Sequence, residues 1–247
     1  KKTFGNYSTT LAISNCVHEG LQLPIEKGLA VETSYFAKCV VSKEAKAMIR
    51  TLFFTLNDAN KGVARPDVPK MEINKIGILG AGMMGAGIAY VSARVGLDVV
   101  LKDVTLEGAE KGKAYSEKLL SKKLSRGWMS QEEHDAFMDK IKTTDNPSDV
   151  SDCQLVIEAV FEDRGLKATV TKESETVMSK TAVFASNTST LPITGLAEAA
   201  ERPENFIGLH FFSPVDKMPL VEIIVGEKTS DHAIAACVDF TLKIGKT

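Results

Sequence analysis

His210 and Glu222 lie twelve positions apart and are the residue types that general base catalysis uses. A carboxylate that accepts a hydrogen bond from one imidazole nitrogen fixes the tautomer, leaves the other nitrogen as an acceptor and makes it a better base. His210 ends the apolar run "NFIGL", and Glu222 interrupts "PLVEIIV", where an ionised carboxylate among apolar neighbours is costly unless paired. The turn "FFSPVDKMP" between them can bring the two side chains together. Three more polar residues stand at the ends of apolar runs: Glu158 in "LVIEAV", and Asn187 and Ser189 in the "NTST" that follows "AVFAS". The "NTST" turn also suits the N-cap of a helix over "LPITGL". His18, His134 and His232 have no comparable setting and read as surface or packing residues.

A base needs a reaction partner, and "KIGILGAGMMGAG", Lys75 to Gly87, indicates how one is held. Gly80, Gly82 and Gly85 form G-x-G-x-x-G directly after an apolar strand and directly before the helix "AGIAYVSARVG", and Asp103 closes the next strand; the turn, with Met83 and Met84 inside it, is the candidate cofactor site. That ordered set is the dinucleotide-binding fingerprint, in which the glycines permit a tight turn, close approach of a pyrophosphate and close helix packing. The uncovered N–H groups and partial positive charge of the helix N-terminus then face the phosphates. Asp103 is placed to accept hydrogen bonds from the adenosine ribose and to repel a 2′-phosphate, which favours NAD over NADP. The Lys102 side chain points to the other face of its strand.

Something must position these groups. Short apolar runs alternate with amphipathic stretches at 86–95, 106–124, 166–178 and 232–244, the pattern of a mostly parallel sheet covered on both faces. A Rossmann-type, doubly wound α/β domain is therefore expected over 73–247. Residues 9–62 instead repeat apolar positions every three or four residues, with Pro24 suited to a first helical turn and Ser42 to a cap. They predict about three helices with too little apolar material for a core of their own. "KGVARPDVPKM" reads as a linker.

Composition limits the alternatives. The 247 residues carry a net charge of −2 and are 44% hydrophobic. No basic block suggests a nucleic-acid partner, and no apolar run reaches the roughly 20 residues of a membrane span. The four cysteines have no ligand spacing, so no metal is expected, and free thiols in a reducing compartment follow. The cytoplasm is the expected location, with the mitochondrial matrix as the alternative.

The stretches "GILGAGMMGAGIA", "VIEAVFED", "FASNTSTLPI" and "GLHFFSPVDKMPLVEII" together resemble the successive signatures of the L-3-hydroxyacyl-CoA dehydrogenase family. The last is similar to the multifunctional fatty-acid oxidation proteins, which carry an enoyl-CoA hydratase domain ahead of the dehydrogenase. The resemblance implies residues 1–60 as the helical tail of a hydratase domain, 61–72 as linker and 73–247 as the NAD-binding domain. It implies an acyl-CoA substrate, His210 as base, Glu222 as its orienting partner, Ser189 as a contact to the substrate oxygen, and Asn187 as a contact to the substrate or the nicotinamide. Glu158 would line the nicotinamide ribose side and Lys167 the cofactor crevice, while Lys122 and Lys123 are candidates for the CoA phosphates or for a solvated helix face. Ser213 stands where monofunctional relatives usually carry asparagine. The family continues into a helical domain that closes over the acyl chain, so this chain alone is expected to bind NAD but to turn over poorly. In the longer parent a homo-oligomer and a thiolase partner subunit are expected, and the alternative reading is a non-catalytic NAD-binding or assembly module.

Overall fold

The computed structural model describes residues 4–247, which fall into two compact units divided between Val63 and Ala64. The first unit is entirely helical: α1 (Ser8–Gly20), α2 (Ile25–Val40), and a continuous run of α3 (Lys43–Met48), a π-helical stretch (Ile49–Thr55) and α4 (Leu56–Asn60). Ser42 caps α3 by accepting a hydrogen bond from the Ala45 N–H, as its side-chain type predicts. Pro24 stands one residue before α2, where its missing N–H costs no helical bond. None of these helices buries a residue.

The second unit is a seven-stranded sheet: β1 (Lys75–Leu79), β2 (Asp98–Lys102), β3 (Ile141–Thr144), β4 (Leu155–Glu158), β5 (Val183–Ser186), β6 (Phe206–Phe211) and β7 (Val221–Ile224). The order β3-β2-β1-β4-β5-β6-β7, parallel except for β7, is that of a Rossmann sheet with one antiparallel edge strand. Alternation along the strands sorts side chains onto two faces. Ile76, Ile78, Leu101, Ile157 and Leu209 join one core with α5 (Met83–Ala93), α6 (Leu106–Leu124) and α10 (Asp231–Lys243). Leu79, Val100, Val156 and Phe184 join the other, against α8 (Arg164–Val177) and α9 (Ile193–Ala197). Each such side chain contributes about 1.5–3 kcal/mol through burial.

Helix starts follow local chemistry. Thr105, Asp163 and Ser230 cap α6, α8 and α10, and Ser130 with Glu133 forms a capping box on α7 (Gln131–Asp139). The latter half of the expected linker is tied to the sheet unit, since the Arg65 guanidinium donates to both carboxylate oxygens of Asp239 at 2.8 and 3.0 Å. Two elements differ from the sequence reading. The pair α7–β3 has no apolar run to announce it: β3, "IKTT", is a four-residue edge strand that buries only its two ends. The "NTST" turn does not cap α9, which starts after Pro192 without a side-chain cap. Thr188 instead accepts from the N–H groups of Thr190 and Leu191 and closes the turn on itself.

Candidate active site

The carboxyl ends of β1 and β4 are neighbours at the point where strand order reverses, the place where ligands bind in open α/β sheets. The glycine turn lies there. Gly80 has φ +94°, and a Cβ on it would meet the Ala159 carbonyl oxygen at 2.7 Å. A Cβ on Gly85 would come to 1.8 Å from the Gly80 carbonyl oxygen. A Cβ on Gly82 would meet nothing within 4 Å, so that position faces open space. Gly82 is also the N-cap of α5 and offers no capping side chain, leaving the first N–H groups of Met83 and Met84 to an outside acceptor. A turn that two of its three glycines require for packing, with the third opening a space before an uncapped helix, fits a dinucleotide pyrophosphate.

Asp103 follows β2 and is fixed by two backbone donors, Ala81 N–H to Oδ2 at 2.7 Å and Val104 N–H to Oδ1 at 2.6 Å. The carboxylate is thereby locked onto the glycine turn and remains partly exposed. A fixed negative charge beside this cradle favours ribose hydroxyls and disfavours a 2′-phosphate.

At the other side of the crevice β6 and β7 run antiparallel, and His210 and Glu222 are direct cross-strand partners. His210 Nδ1 lies 2.8 Å from Glu222 Oε2, and the Phe212 ring packs 4.6 Å from the imidazole. A proton on Nδ1, shared with the carboxylate, leaves Nε2 as the accepting base. The expected pairing is present, but its reason differs from the one the sequence suggested. Glu222 is on an edge strand and its side chain is 51% exposed, so burial does not force it to find a partner.

Asn187 Oδ1 accepts the Phe211 N–H at 2.9 Å, which ties the end of β5 to the end of β6 and leaves the Asn187 amide to donate outward. Ser189 is exposed on the adjoining turn. These residues, the glycine turn and Asp103 all stand at the carboxyl ends of the strands. Ser213 follows on the β6–β7 turn, where its hydroxyl donates to the sulfur of Met83 at 3.6 Å.

Three candidates are placed otherwise than expected. Glu158 is fully buried and Lys167 is 2% exposed. The Lys167 Nζ donates to both Glu158 carboxylate oxygens at 2.7 and 3.0 Å, so the two charges are paired with each other behind the crevice. Lys123 donates to the Tyr90 hydroxyl at 3.0 Å and lies over the Tyr90 ring, which removes it from the free cations. Lys122 is exposed on the same helix.

The residue missed by sequence reading is Glu162. Its carboxylate pairs with Lys167 at 3.2 Å and accepts from the Thr188 hydroxyl, the Ser189 N–H at 3.3 Å and the Thr190 hydroxyl at 3.3 Å. Burial alone would raise its pKa, but the Thr188 bond and the Lys167 charge outweigh that and hold it below the usual 4.5. The available signal was the spacing: "EAVFED" places Glu162 four residues after Glu158, in the crossover that follows β4. Among the described residues no group of His, Cys, Asp and Glu could hold a metal ion, and no helix is long and apolar enough to cross a membrane.

A mostly parallel sheet with a glycine cradle at its switch point, a fixed acid beside that cradle and a carboxylate-oriented histidine across the crevice define a dinucleotide-dependent dehydrogenase domain. Residues 75–247 match the family model "3-hydroxyacyl-CoA dehydrogenase, NAD binding domain", and the chain belongs to that family. Over its whole length it is 45% identical to the fatty acid oxidation complex subunit alpha of Shewanella halifaxensis, and it spans 35% of that relative. Two solved structures share the fold. The (S)-3-hydroxybutyryl-CoA dehydrogenase PaaH1 from Ralstonia eutropha is 36% identical with a TM-score of 0.68, over 71% of this chain and 62% of that one. FadB2 of M. tuberculosis is 38% identical with a TM-score of 0.68, over 72% and 63%.

Proposed function

We propose that this chain is the cofactor-binding part of an NAD-dependent L-3-hydroxyacyl-CoA dehydrogenase acting in fatty-acid oxidation. The observation that carries the reading is the His210–Glu222 pair at 2.8 Å across the crevice from the Gly80–Gly85 turn, inside the family's NAD-binding domain. In the oxidation direction the C3 hydroxyl gives its proton to His210 Nε2 as C3 loses a hydride, and the C3 alcohol becomes a ketone. Bound NAD supplies the hydride acceptor. Glu222 holds the imidazole tautomer and stabilises the imidazolium that forms. Ser189 and the outward Asn187 amide hold the substrate oxygen, and exposed Lys122 meets a CoA phosphate. Glu162, at the crevice edge, faces the nicotinamide ribose in place of Glu158.

The chain spans 35% of the Shewanella relative, and in this reading residues 1–60 are the helical tail of a hydratase domain, residues 61–72 a linker and residues 73–247 the dehydrogenase part. The name of that relative supports assembly into a larger fatty-acid oxidation complex; a homo-oligomer, a thiolase-type subunit and a cytoplasmic or mitochondrial-matrix setting are further parts of the proposal.

The test is calorimetric titration with NADH and NADPH, then with acetoacetyl-CoA added to the NADH complex, together with reduction of acetoacetyl-CoA by wild-type protein and by His210→Gln. Preferential NADH binding that Asp103→Lys abolishes, with residual turnover lost in His210→Gln and NADH affinity kept, supports the dehydrogenase. NADH binding with turnover unchanged by His210→Gln would leave a nucleotide-binding module and end the catalytic reading.

A further inference from the structure

The buried pair behind the crevice is unusual in its surroundings. Glu158 has no exposed surface, yet it carries a carboxylate at the end of a strand whose other residues are apolar and buried. Such a group is strongly destabilising without partners, and Glu158 has four bonds: two from Lys167, one from the Ser186 hydroxyl and one from the Val160 N–H at 3.3 Å. Its charge is balanced by Lys167, whose ammonium also reaches Glu162 at 3.2 Å. Two carboxylates therefore share one ammonium, one fully inside and one at the crevice edge. The outer carboxylate gathers three donors from the 188–190 turn.

We infer that Glu158 is a positioning residue that acts at one remove from the site: by fixing the Lys167 ammonium it fixes Glu162, and through Glu162 it sets the turn that carries Ser189. The chain of contacts starts on β4, crosses to α8, returns through the 159–163 crossover and ends beyond β5, so one buried charge sets the spacing of two adjacent strand ends. The register agrees, since Glu158 lies directly beside Ser186 and the Asn187 N–H donates to the Glu158 carbonyl at 2.9 Å. A long aliphatic side chain at position 158 would fill the same space but leave the Lys167 ammonium to swing wholly onto Glu162. The carboxylate of Glu162 would then turn inward and release the hydroxyls of Thr188 and Thr190.

The inference rests on the dehydrogenase reading for its ligand but not for its geometry, and the experiment separates the two. Wild-type protein, Glu158→Gln and Glu158→Gln/Lys167→Met are compared for thermal midpoint, ADP affinity, acetoacetyl-CoA affinity of the NADH complex, and amide exchange at Ser189 and Leu191. In Glu158→Gln, ADP affinity stays within about twofold, because the glycine cradle and Asp103 are untouched, while acetoacetyl-CoA binding weakens about tenfold and exchange in the turn quickens about tenfold. The double variant has no lone buried charge, so it recovers the midpoint lost in the single one, yet its acetoacetyl-CoA binding stays weak. Recovery of that affinity along with the midpoint would overturn the inference, as would a folded Glu158→Gln with wild-type turn exchange and acyl-CoA affinity. If wild-type protein binds no NADH, the functional reading fails; if it binds NADH but no acetoacetyl-CoA, the acyl-CoA arm of the experiment has no signal. The exchange of Ser189 and Leu191 in Glu158→Gln then decides the inference alone: acceleration confined to the turn upholds it, and no acceleration overturns it.

Discussion

The two units of this chain use similar residues to opposite effect. Residues 4–63 carry leucines, isoleucines and phenylalanines at helical spacing, yet Phe36 is 68% exposed and Phe53 60%. Residues 64–247 place the same residue types at 0–1% exposure on both faces of a sheet, as at Ile78 and Phe240. Amphipathic periodicity states which face of a helix gains from burial, and it is satisfied only when a second layer is present to pack against. In the first unit α1 and α2 pack on each other without sealing any side chain, so local terms such as the Ser42 cap weigh more, whereas in the second tertiary packing supplies most of each helix's stability.

The largest expected contrast is in thiol chemistry. Cys153 and Cys237 are buried, and burial pushes both thiols up to about 12, whereas Cys16 and Cys39 are half-buried on α1 and α2. A thiol-specific reagent at neutral pH should label Cys16 and Cys39 at least about a thousandfold faster, because the buried pair reacts only through an opening that costs several kcal/mol. Equal rates for all four would erase the distinction between the units.

Core substitutions sharpen the comparison next. Phe240→Ala should cost about 3–5 kcal/mol in denaturant unfolding, while Phe53→Ser should change stability by less than about 0.5 kcal/mol. A similar loss from both would mean that Phe53 is packed in solution. Glycines give a third contrast. Gly85→Ala places a methyl 1.8 Å from a backbone oxygen and should destabilise by about 3 kcal/mol or more. Gly20→Ala, at the end of α1, meets only an ordinary contact at 3.8 Å and should stabilise by a few tenths up to about 0.5 kcal/mol. Thermal melts of the two variants read both signs.

The smallest effect is a pH dependence. His134 is held above its usual 6.5, chiefly by its 2.9 Å contact with Asp135 and also by Glu117 at 3.1 Å, with burial opposing. A raised folded pKa gives stability that is fully present below the unfolded value and is lost as pH rises through the folded one. The thermal midpoint of wild-type protein should therefore fall from about pH 6 to about pH 8 relative to His134→Gln. A wild-type profile parallel to His134→Gln would show that the α6–α7 contact does not depend on the proton.

Much of the nucleotide half was legible because its signals are local. A glycine at a left-handed turn and an acid closing the following strand depend on a few consecutive residues, and each stands where its spacing places it. The α6 span, Leu106 to Leu124, was readable from periodicity alone. The α7–β3 pair was not, since a short edge strand buries too little to need an apolar run. The environment of each charge was not legible either. Glu158 and Glu162 are both glutamates near a strand end, and Lys122 and Lys123 are adjacent lysines on one helix.

What the sequence by itself determined is the alternation of strands and helices outside α7–β3, the cradle at Gly80 to Gly85 and the presence of a histidine and a glutamate that antiparallel strands could bring together. Tertiary structure alone decided which glutamate is sealed in with Lys167 and which stands at the crevice, which lysine is spent on Tyr90, and that Glu222 meets His210 from an exposed edge rather than a buried strand. Backbone turns and helix caps are set by interactions within a few residues. The burial and pairing of a charge are set by side chains from β4, α8 and β5, which only the fold brings together.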